Sequence, residues 1–161
     1  MVAIISHTQV RALALHELPL CEPFAQAFYT EKGVPGHCSM EKFIQTWTLF
    51  LTQYPSILFG LWSQGALVGG LGGLITPDLY DGRLTATEMF WYVTPDARQG
   101  RNAWTLVDAF ETWGKDHGAV ECRLAFLLLG WVQQANPMRL LPLYQRRGYQ
   151  AVDLGCIKTF G

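Results

Sequence analysis

Residues 85–103 read TATEMFWYVTPDARQGRNA, and they restrict the possible structures of this 161-residue chain more than any other segment. The first nine are rich in β-branched and aromatic side chains, which predicts a strand. A turn with a proline and a glycine follows, and residues 101–117 are predicted to form an amphipathic helix that Gly118 ends. The first backbone N–H groups of a helix lack internal partners and lie at the positive end of its dipole. The sequence therefore predicts an anion site at this turn.

Two arginines, Arg98 and Arg101, add full positive charge to the turn. A guanidinium presents forked donors that match the oxygens of a phosphate group. We therefore predict that the turn binds a phosphorylated ligand, most simply a cofactor. The alternative for Arg98 is an ordinary surface charge where the helix begins.

The rest of the sequence predicts the element order β, αα, βββ, α, β, α, β. The expected elements are a strand at 2–6, helical pieces within 8–31 interrupted at Pro19 and Pro23, a helix after the N-cap Ser39, a hairpin over 57–75 with its turn at Gln64-Gly65, the strand 84–93, the helix 101–117, a strand within 120–129, a helix over 137–147 and a last strand within 149–159. Hairpins followed by crossover helices predict a mixed sheet with helices on both faces.

The glycine-rich segment 69–73 has the composition of a phosphate loop but not its context. It lacks a following Gly-Lys-Ser/Thr, and Thr76-Pro77 comes after it where a phosphate loop would start a helix. We interpret it as a strand that another backbone approaches closely.

Composition predicts one globular domain over residues 1–161, because half of the residues are hydrophobic and 13% are aromatic. The net charge of −1 disfavours a nucleic-acid partner, because proteins that bind nucleic acids usually carry more basic than acidic residues. We expect neither a signal peptide nor a membrane span. The four widely spaced cysteines predict reduced thiols and a cytoplasmic location. His37-Cys38 has no partner pair at ligand spacing, so no metal site is expected.

Two motifs extend this interpretation to a family. They are Val93-Thr94-Pro95 followed by Arg98-Gln99-Gly100-Arg101-Asn102-Ala103, and Leu143-Tyr144-Gln145-Arg146-Arg147-Gly148-Tyr149. They resemble the signatures of the GNAT superfamily of N-acyltransferases, namely Val-x-Pro before Arg/Gln-x-x-Gly-x-Gly/Ala, and Leu-Tyr-x-x-x-Gly-Phe/Tyr. The resemblance covers nearly the whole chain. Arg101 stands where the family has its first glycine, and Gly100 lies one residue earlier. Either the Arg101 side chain crowds a bound pyrophosphate, or it joins the phosphate contacts, or the loop is re-registered by one residue.

The resemblance implies an α/β (α+β) fold with a mixed, mostly antiparallel sheet of about six or seven strands. A splayed strand pair would form the acyl-CoA cleft. Acetyl-CoA, or another acyl-CoA, is implied as co-substrate, with its pyrophosphate on the turn amides and its pantetheine arm along the strand before the turn. The implied cofactor-binding residues are Trp91, Tyr92, Val93, Arg98, Gln99, Gly100, Arg101, Asn102, Ala103 and Tyr144.

Two residues are candidates for proton transfer. Glu88 is the only carboxylate in the strand 84–93, and apolar neighbours favour a raised pKa, so it is a candidate general base. The alternative is a solvated strand residue. Tyr144 matches the tyrosine that is a general acid in many family members. The alternative is a packing residue whose hydroxyl is satisfied.

The resulting hypothesis is transfer of an acetyl group from acetyl-CoA to a primary amine by direct attack in a ternary complex. The acceptor is a small-molecule or peptide amine, and the apolar composition is compatible with a homodimer. Arg101 at the glycine position motivates the alternative, a catalytically silent CoA-binding or structural module of the same fold. A third possibility is an unrelated nucleotide-binding protein.

Overall fold

The computed structural model describes residues 8–31, 38–98, 101–125 and 140–152. The elements are β1 (Thr8–Ala12), a 3-10 helix (Leu15–Cys21), α1 (Glu22–Glu31), α2 (Met40–Gln53), β2 (Ser56–Ser63), β3 (Ala66–Pro77), β4 (Leu84–Val93), a 3-10 turn (Pro95–Ala97), α3 (Asn102–Asp116), β5 (Glu121–Arg123) and α4 (Leu141–Arg146).

One sheet with the order β1-β2-β3-β4-β5 organises the described chain. The first four strands are antiparallel and β5 runs parallel to β4, which confirms a mixed and mostly antiparallel sheet. The described residues hold five strands, fewer than the six or seven predicted. The strand expected at 2–6 lies outside them, and so do residues 153–159 of the last expected strand. Residues 149–152 are described and do not form a strand.

The prediction that residues 8–12 are helical is wrong, because they form β1. This strand pairs with β2 from Thr8, opposite Ser63, to Ala12, opposite Phe59. Helix propensity is a weak preference that tertiary pairing overrides. The interruption at Pro19 is confirmed, since it lies in a 3-10 segment that separates β1 from α1. A proline disrupts the regular α-helical hydrogen bonds at this point.

Two local predictions are confirmed in detail. Ser39 caps α2, and its side chain accepts a hydrogen bond from the Lys42 N–H at 3.3 Å. The hairpin between β2 and β3 turns at Gln64 and Gly65, which have φ angles of 51° and 80°. Two consecutive positive φ angles are the requirement of a tight hairpin turn whose twist matches that of the strands.

Helices cover both faces of the sheet, as predicted. On one face α1 and α2 bury Phe24 and Trp47 against Leu58 and Phe90. On the other face α3 buries Leu106, Val107 and Phe110 against Leu61 and Leu71. The sheet is therefore the middle layer of a sandwich, and side chains of β4 contribute to both cores.

The glycine-rich segment is the central part of β3, and the predicted close approach of backbone is confirmed. A Cβ atom on Gly73 would overlap the carbonyl oxygen of Thr87, and one on Gly69 would lie 2.6 Å from the carbonyl oxygen of Tyr92. Only glycine allows β4 to pack this closely against β3.

Candidate active site

A β-bulge in β4 lies at the centre of the candidate site. Gly73 of β3 pairs with Glu88, and the preceding Gly72 pairs with Phe90, so Met89 is an extra residue without a partner in β3. A bulge bends its strand and re-aims the side chains that follow. Beyond it, Phe90 faces the core under α1 and α2, whereas Trp91 packs against the core under α3.

The described pairing of β4 with β5 ends at the same place. β5 pairs with β4 only from Thr85 to Thr87. Within the described ranges, no strand pairs with this edge of residues 88–93. Residues 126–139, which follow β5 in the chain, lie outside the described residues, so the cleft predicted beside the end of β4 stays a prediction.

Glu88 lies immediately before the bulge and directly after the last residue of β4 that pairs with β5. Its Oε2 accepts a hydrogen bond from the Ala125 N–H at 3.0 Å, and its side chain is half-buried. Burial disfavours the charged carboxylate and raises the pKa of Glu88 to about 7, and the hydrogen bond from Ala125 offsets part of this effect. A carboxyl group with this pKa can accept a proton near neutral pH.

Tyr144 lies on α4, and the charge of Glu88 acts on its hydroxyl group. Burial raises the pKa of Tyr144, and the negative charge of Glu88 raises it further. The Tyr144 ring is 7% exposed and packs edge-on against Trp91 and Trp104, with centroid distances of 6.2 and 5.5 Å. The Tyr144 ring thus packs against β4, the strand that carries Glu88.

The Tyr144 segment is tied to α3 by contacts that the sequence analysis did not identify. The Tyr149 hydroxyl donates a hydrogen bond to Glu111 Oε1 at 2.6 Å. Arg147 forms an ion pair with Asp108, and its guanidinium lies 4.8 Å from the centre of the Trp104 ring. Arg147 and Tyr149 belong to the motif of residues 143–149, but no local sequence pattern indicates their partners on α3.

Among the residues that the structure describes, none accepts a hydrogen bond from the first three amides of α3. The first hydrogen bond of the helix runs from the Thr105 N–H to the Arg101 carbonyl at 3.0 Å, so the amides of Asn102, Ala103 and Trp104 precede it. Arg101 is the N-cap residue and its side chain does not cap these amides. Its guanidinium is exposed and has no hydrogen bond or ion pair with any part of the chain that the structure describes. These features suit an anion.

Arg98 is engaged differently. Its Nε donates to the Val93 carbonyl at 2.7 Å, and its Nη2 donates to Glu31 Oε2 at 2.7 Å. The Tyr92 hydroxyl donates to the other oxygen of Glu31 at 2.6 Å. Burial, followed by the hydrogen bond to Glu31, raises the pKa of Tyr92 to about 12. Glu31 was not singled out in the sequence, where it is one more acidic residue in a helix.

The predicted cofactor-binding residues therefore divide by position. Trp91 lies on the α3 side with the Tyr144 ring 6.2 Å from its own, and Tyr92 faces the α1 side. Asn102 donates from Nδ2 to the Ala97 carbonyl at 3.1 Å and shapes the turn. Gln99 and Gly100 lie outside the described residues. Binding of a cofactor by this set stays a prediction.

A surface hollow of about 260 Å³ lies elsewhere, at the turn between β3 and β4. Its lining includes Thr76, Tyr80, Thr85 and Arg123. This is the end of β4 opposite to Val93 and the α3 N-terminus, so the hollow is separate from the candidate site.

The chain belongs to the acetyltransferase (GNAT) family, whose sequence model matches residues 12–149. No curated protein matches the chain. Within the described residues, none of the helices has the length and apolar character needed to cross a bilayer.

Solved structures share the fold at low identity. An aminoglycoside N-acetyltransferase in complex with CoA is 16% identical, with 99% of each chain covered and a TM-score of 0.75. A ribosomal-protein-alanine N-acetyltransferase from Brucella melitensis is 17% identical, with 96% of this chain and 100% of that chain covered and a TM-score of 0.72. A glucosamine-6-phosphate N-acetyltransferase from Arabidopsis thaliana is 13% identical, with coverages of 96% and 99% and a TM-score of 0.69.

Proposed function

We propose that this protein transfers an acetyl group from acetyl-CoA to a primary amine by direct attack in a ternary complex. The observation that carries the proposal is the position of Glu88, a carboxyl with a pKa of about 7 at the bulge of β4, with the Tyr144 ring packed against Trp91 of the same strand. The family supports acyl transfer, and the aminoglycoside N-acetyltransferase that shares the fold was solved with CoA.

The residues present fit acetyl-CoA as co-substrate. The amides of Asn102, Ala103 and Trp104, together with the exposed guanidinium of Arg101, match the charge of a diphosphate. Residues 88–93, beyond the described pairing with β5, would offer backbone hydrogen bonds to a pantetheine arm. A backbone N–H near the bulge would polarise the thioester carbonyl.

Proton transfer follows from the two pKa shifts. The attacking amine must be neutral, and ionised Glu88 accepts the proton that it loses. The raised pKa of Tyr144 keeps its hydroxyl protonated, so it can donate a hydrogen bond to the sulfur as the sulfur leaves. The two groups thus have opposite roles because one is ionised and the other neutral at the same pH.

The proposal for the acceptor stops at a primary amine, either a small molecule or a peptide. The three neighbours named above carry the names of three different acceptors: an aminoglycoside, a ribosomal-protein alanine and glucosamine 6-phosphate. Their shared fold therefore does not select one amine class.

Isothermal titration with acetyl-CoA tests the first half of the proposal, and CoA release over a panel of primary amines tests the second. We expect Glu88→Gln and Tyr144→Phe to slow CoA release while retaining CoA affinity. Arg83→Gln is the control, because Arg83 pairs with Asp81 at the far end of β4. Absence of acetyl-CoA binding at millimolar concentration would refute the proposal.

The alternative is a silent CoA-binding module of the same fold, which Arg101 at the glycine position favours. It predicts CoA binding in the wild-type protein without CoA release for any amine of the panel. The same two experiments therefore separate the alternatives.

A further inference from the structure

Glu31, Tyr92 and Arg98 form a closed cluster that we call the Glu31 latch. One carboxylate oxygen accepts from the Tyr92 hydroxyl and the other accepts from the Arg98 guanidinium. The guanidinium also lies over the Tyr92 ring, 5.0 Å from its centre. Both oxygens of Glu31 are thus used, and the charge of Arg98 is neutralised within the protein.

The latch joins two elements that are far apart in sequence. Glu31 is the last residue of α1, whereas Arg98 follows the 3-10 turn after β4. Because Arg98 Nε donates to the carbonyl of Val93, the arginine also folds the turn back onto the last residue of β4. The Asn102 side chain binds the Ala97 carbonyl and closes the following part of the turn. The turn is therefore held at both ends before any ligand binds.

Arg101 contrasts with Arg98 in its contacts, although both residues are exposed. It is exposed, and the described part of the chain provides it with no ion pair or hydrogen-bond acceptor. It stands at the N-cap of α3, next to the amides that precede the first helical hydrogen bond. Its charge is free to neutralise an anion at this helix terminus.

We propose that Arg98 is a positioning residue of the Glu31 latch and that Arg101 supplies the side-chain charge that binds the diphosphate of CoA. This inference rests on the proposed function. The latch holds the turn in the shape that presents the α3 amides. It does so through contacts within the protein and not through contacts with the ligand. Arg101, which departs from the family signature, thereby takes the phosphate-binding role that the motif alone suggests for Arg98.

The direction in which Glu31→Gln changes the Kd for CoA separates the two possible roles of Arg98. If Arg98 bound phosphate, Glu31 would compete with the ligand for the guanidinium, and Glu31→Gln would tighten CoA binding. If Arg98 acts through the latch, Glu31→Gln loosens the turn and weakens CoA binding, as Arg98→Gln does. A role in stability alone would change the unfolding temperature and leave the Kd for CoA unchanged.

The experiment is isothermal titration of CoA at low and high salt into the wild-type protein, Glu31→Gln, Arg98→Gln, the double variant and Arg101→Gln. For Arg101→Gln we expect a Kd raised about tenfold or more and a weaker dependence on salt, because a charge-assisted contact is lost. Each latch variant should raise the Kd about threefold, with unchanged salt dependence. The double variant should be no worse than either single one, since both break the same contact.

Arg83→Gln is the matched control for removing an arginine, and we expect its Kd to equal that of the wild type. Tyr92→Phe is the milder second latch variant, because it removes the hydroxyl and keeps the ring; we expect a Kd raised less than by Glu31→Gln. A lower Kd for Glu31→Gln, or a larger loss for Arg98→Gln than for Arg101→Gln, overturns the inference alone. Absence of CoA binding by the wild-type protein overturns the proposed function and the inference with it.

Discussion

Replacing Glu88 with glutamine should stabilise the protein and inactivate it in the same pH range. Glutamine has nearly the same shape as glutamate and can still accept the hydrogen bond from the Ala125 N–H. It cannot ionise, so it removes the cost of a partly buried negative charge and also removes the proposed base. Both consequences come from the raised pKa of one group, which makes the prediction a direct test of its environment.

The magnitude follows from proton linkage. The pKa of Glu88 rises from 4.5 to about 7 on folding. Each pKa unit corresponds to about 1.4 kcal/mol, so the gain in free energy of unfolding from Glu88→Gln has an upper limit of about 3 kcal/mol. Because the side chain keeps partial contact with solvent, we expect about 1–2 kcal/mol.

The direction is set by which state holds the proton. Below pH 4.5 Glu88 is protonated in both the folded and the unfolded chain. As the pH rises from 4.5 to about 7, the unfolded chain loses this proton first, so the free energy of unfolding of the wild type decreases. Above about pH 7 the folded carboxyl is ionised too, and the loss is complete. The glutamine variant should not show this decrease.

Urea unfolding of the wild type and Glu88→Gln at pH 5, 6, 7 and 8 measures the stability difference. Glu121→Gln is the control, because Glu121 is an exposed glutamate on the neighbouring strand β5. For activity, the ratio of wild-type to variant kcat/KM is the useful quantity, because ionisation of the acceptor amine cancels in it. This ratio should increase as the pH rises through about 7 and reach about 10²–10⁴.

Two results would refute this reasoning at different points. A stability difference that stays constant from pH 5 to 8 would show that burial does not shift the ionisation of Glu88. A variant that keeps kcat/KM within about threefold of the wild type at pH 8 would exclude Glu88 as the base, even if the stability difference follows the expected course.

Three further substitutions test other parts of the structure. Tyr144→Phe should lower kcat about 10–100-fold with little change in the KM for acetyl-CoA, measured by steady-state kinetics; an unchanged kcat would leave only a packing role. Gly73→Ala should lower the free energy of unfolding by about 2–4 kcal/mol in urea, because its Cβ would overlap the Thr87 carbonyl oxygen; a loss below about 1 kcal/mol would contradict the close approach. Ser39→Ala should cost about 1 kcal/mol in the same assay by removing the cap of α2, and Ser39→Asp should restore it; equal losses in both would contradict the capping role.

Much of the fold could be predicted because its signals are local. The alternation of β-branched and aromatic residues in β4, the two turn residues Gln64 and Gly65, and the cap at Ser39 each act over a few neighbouring positions. The motif that contains Tyr144 is local as well. Such patterns can be recognised without the tertiary structure, since the backbone preferences that produce them depend on adjacent residues.

Residues 8–12 and Glu31 show what local patterns leave out. The first segment has helix-forming residues, yet pairing with β2 makes it a strand. Glu31 has no sequence feature that connects it to Arg98, and only the approach of α1 to the end of β4 brings them into contact. Partners in separate elements have no short-range signature.

The amino-acid pattern alone was sufficient to indicate the strand–turn–helix, the family and two candidate groups for proton transfer, because each depends on neighbouring residues. The three-dimensional packing established that Glu88 lies at a bulge, that Tyr144 packs against the same strand, and that Arg98 is paired with Glu31 while Arg101 has no ion pair with any described residue. Burial and charge pairing depend on what surrounds a side chain in space, so the chemistry of the site became visible only after the chain was folded.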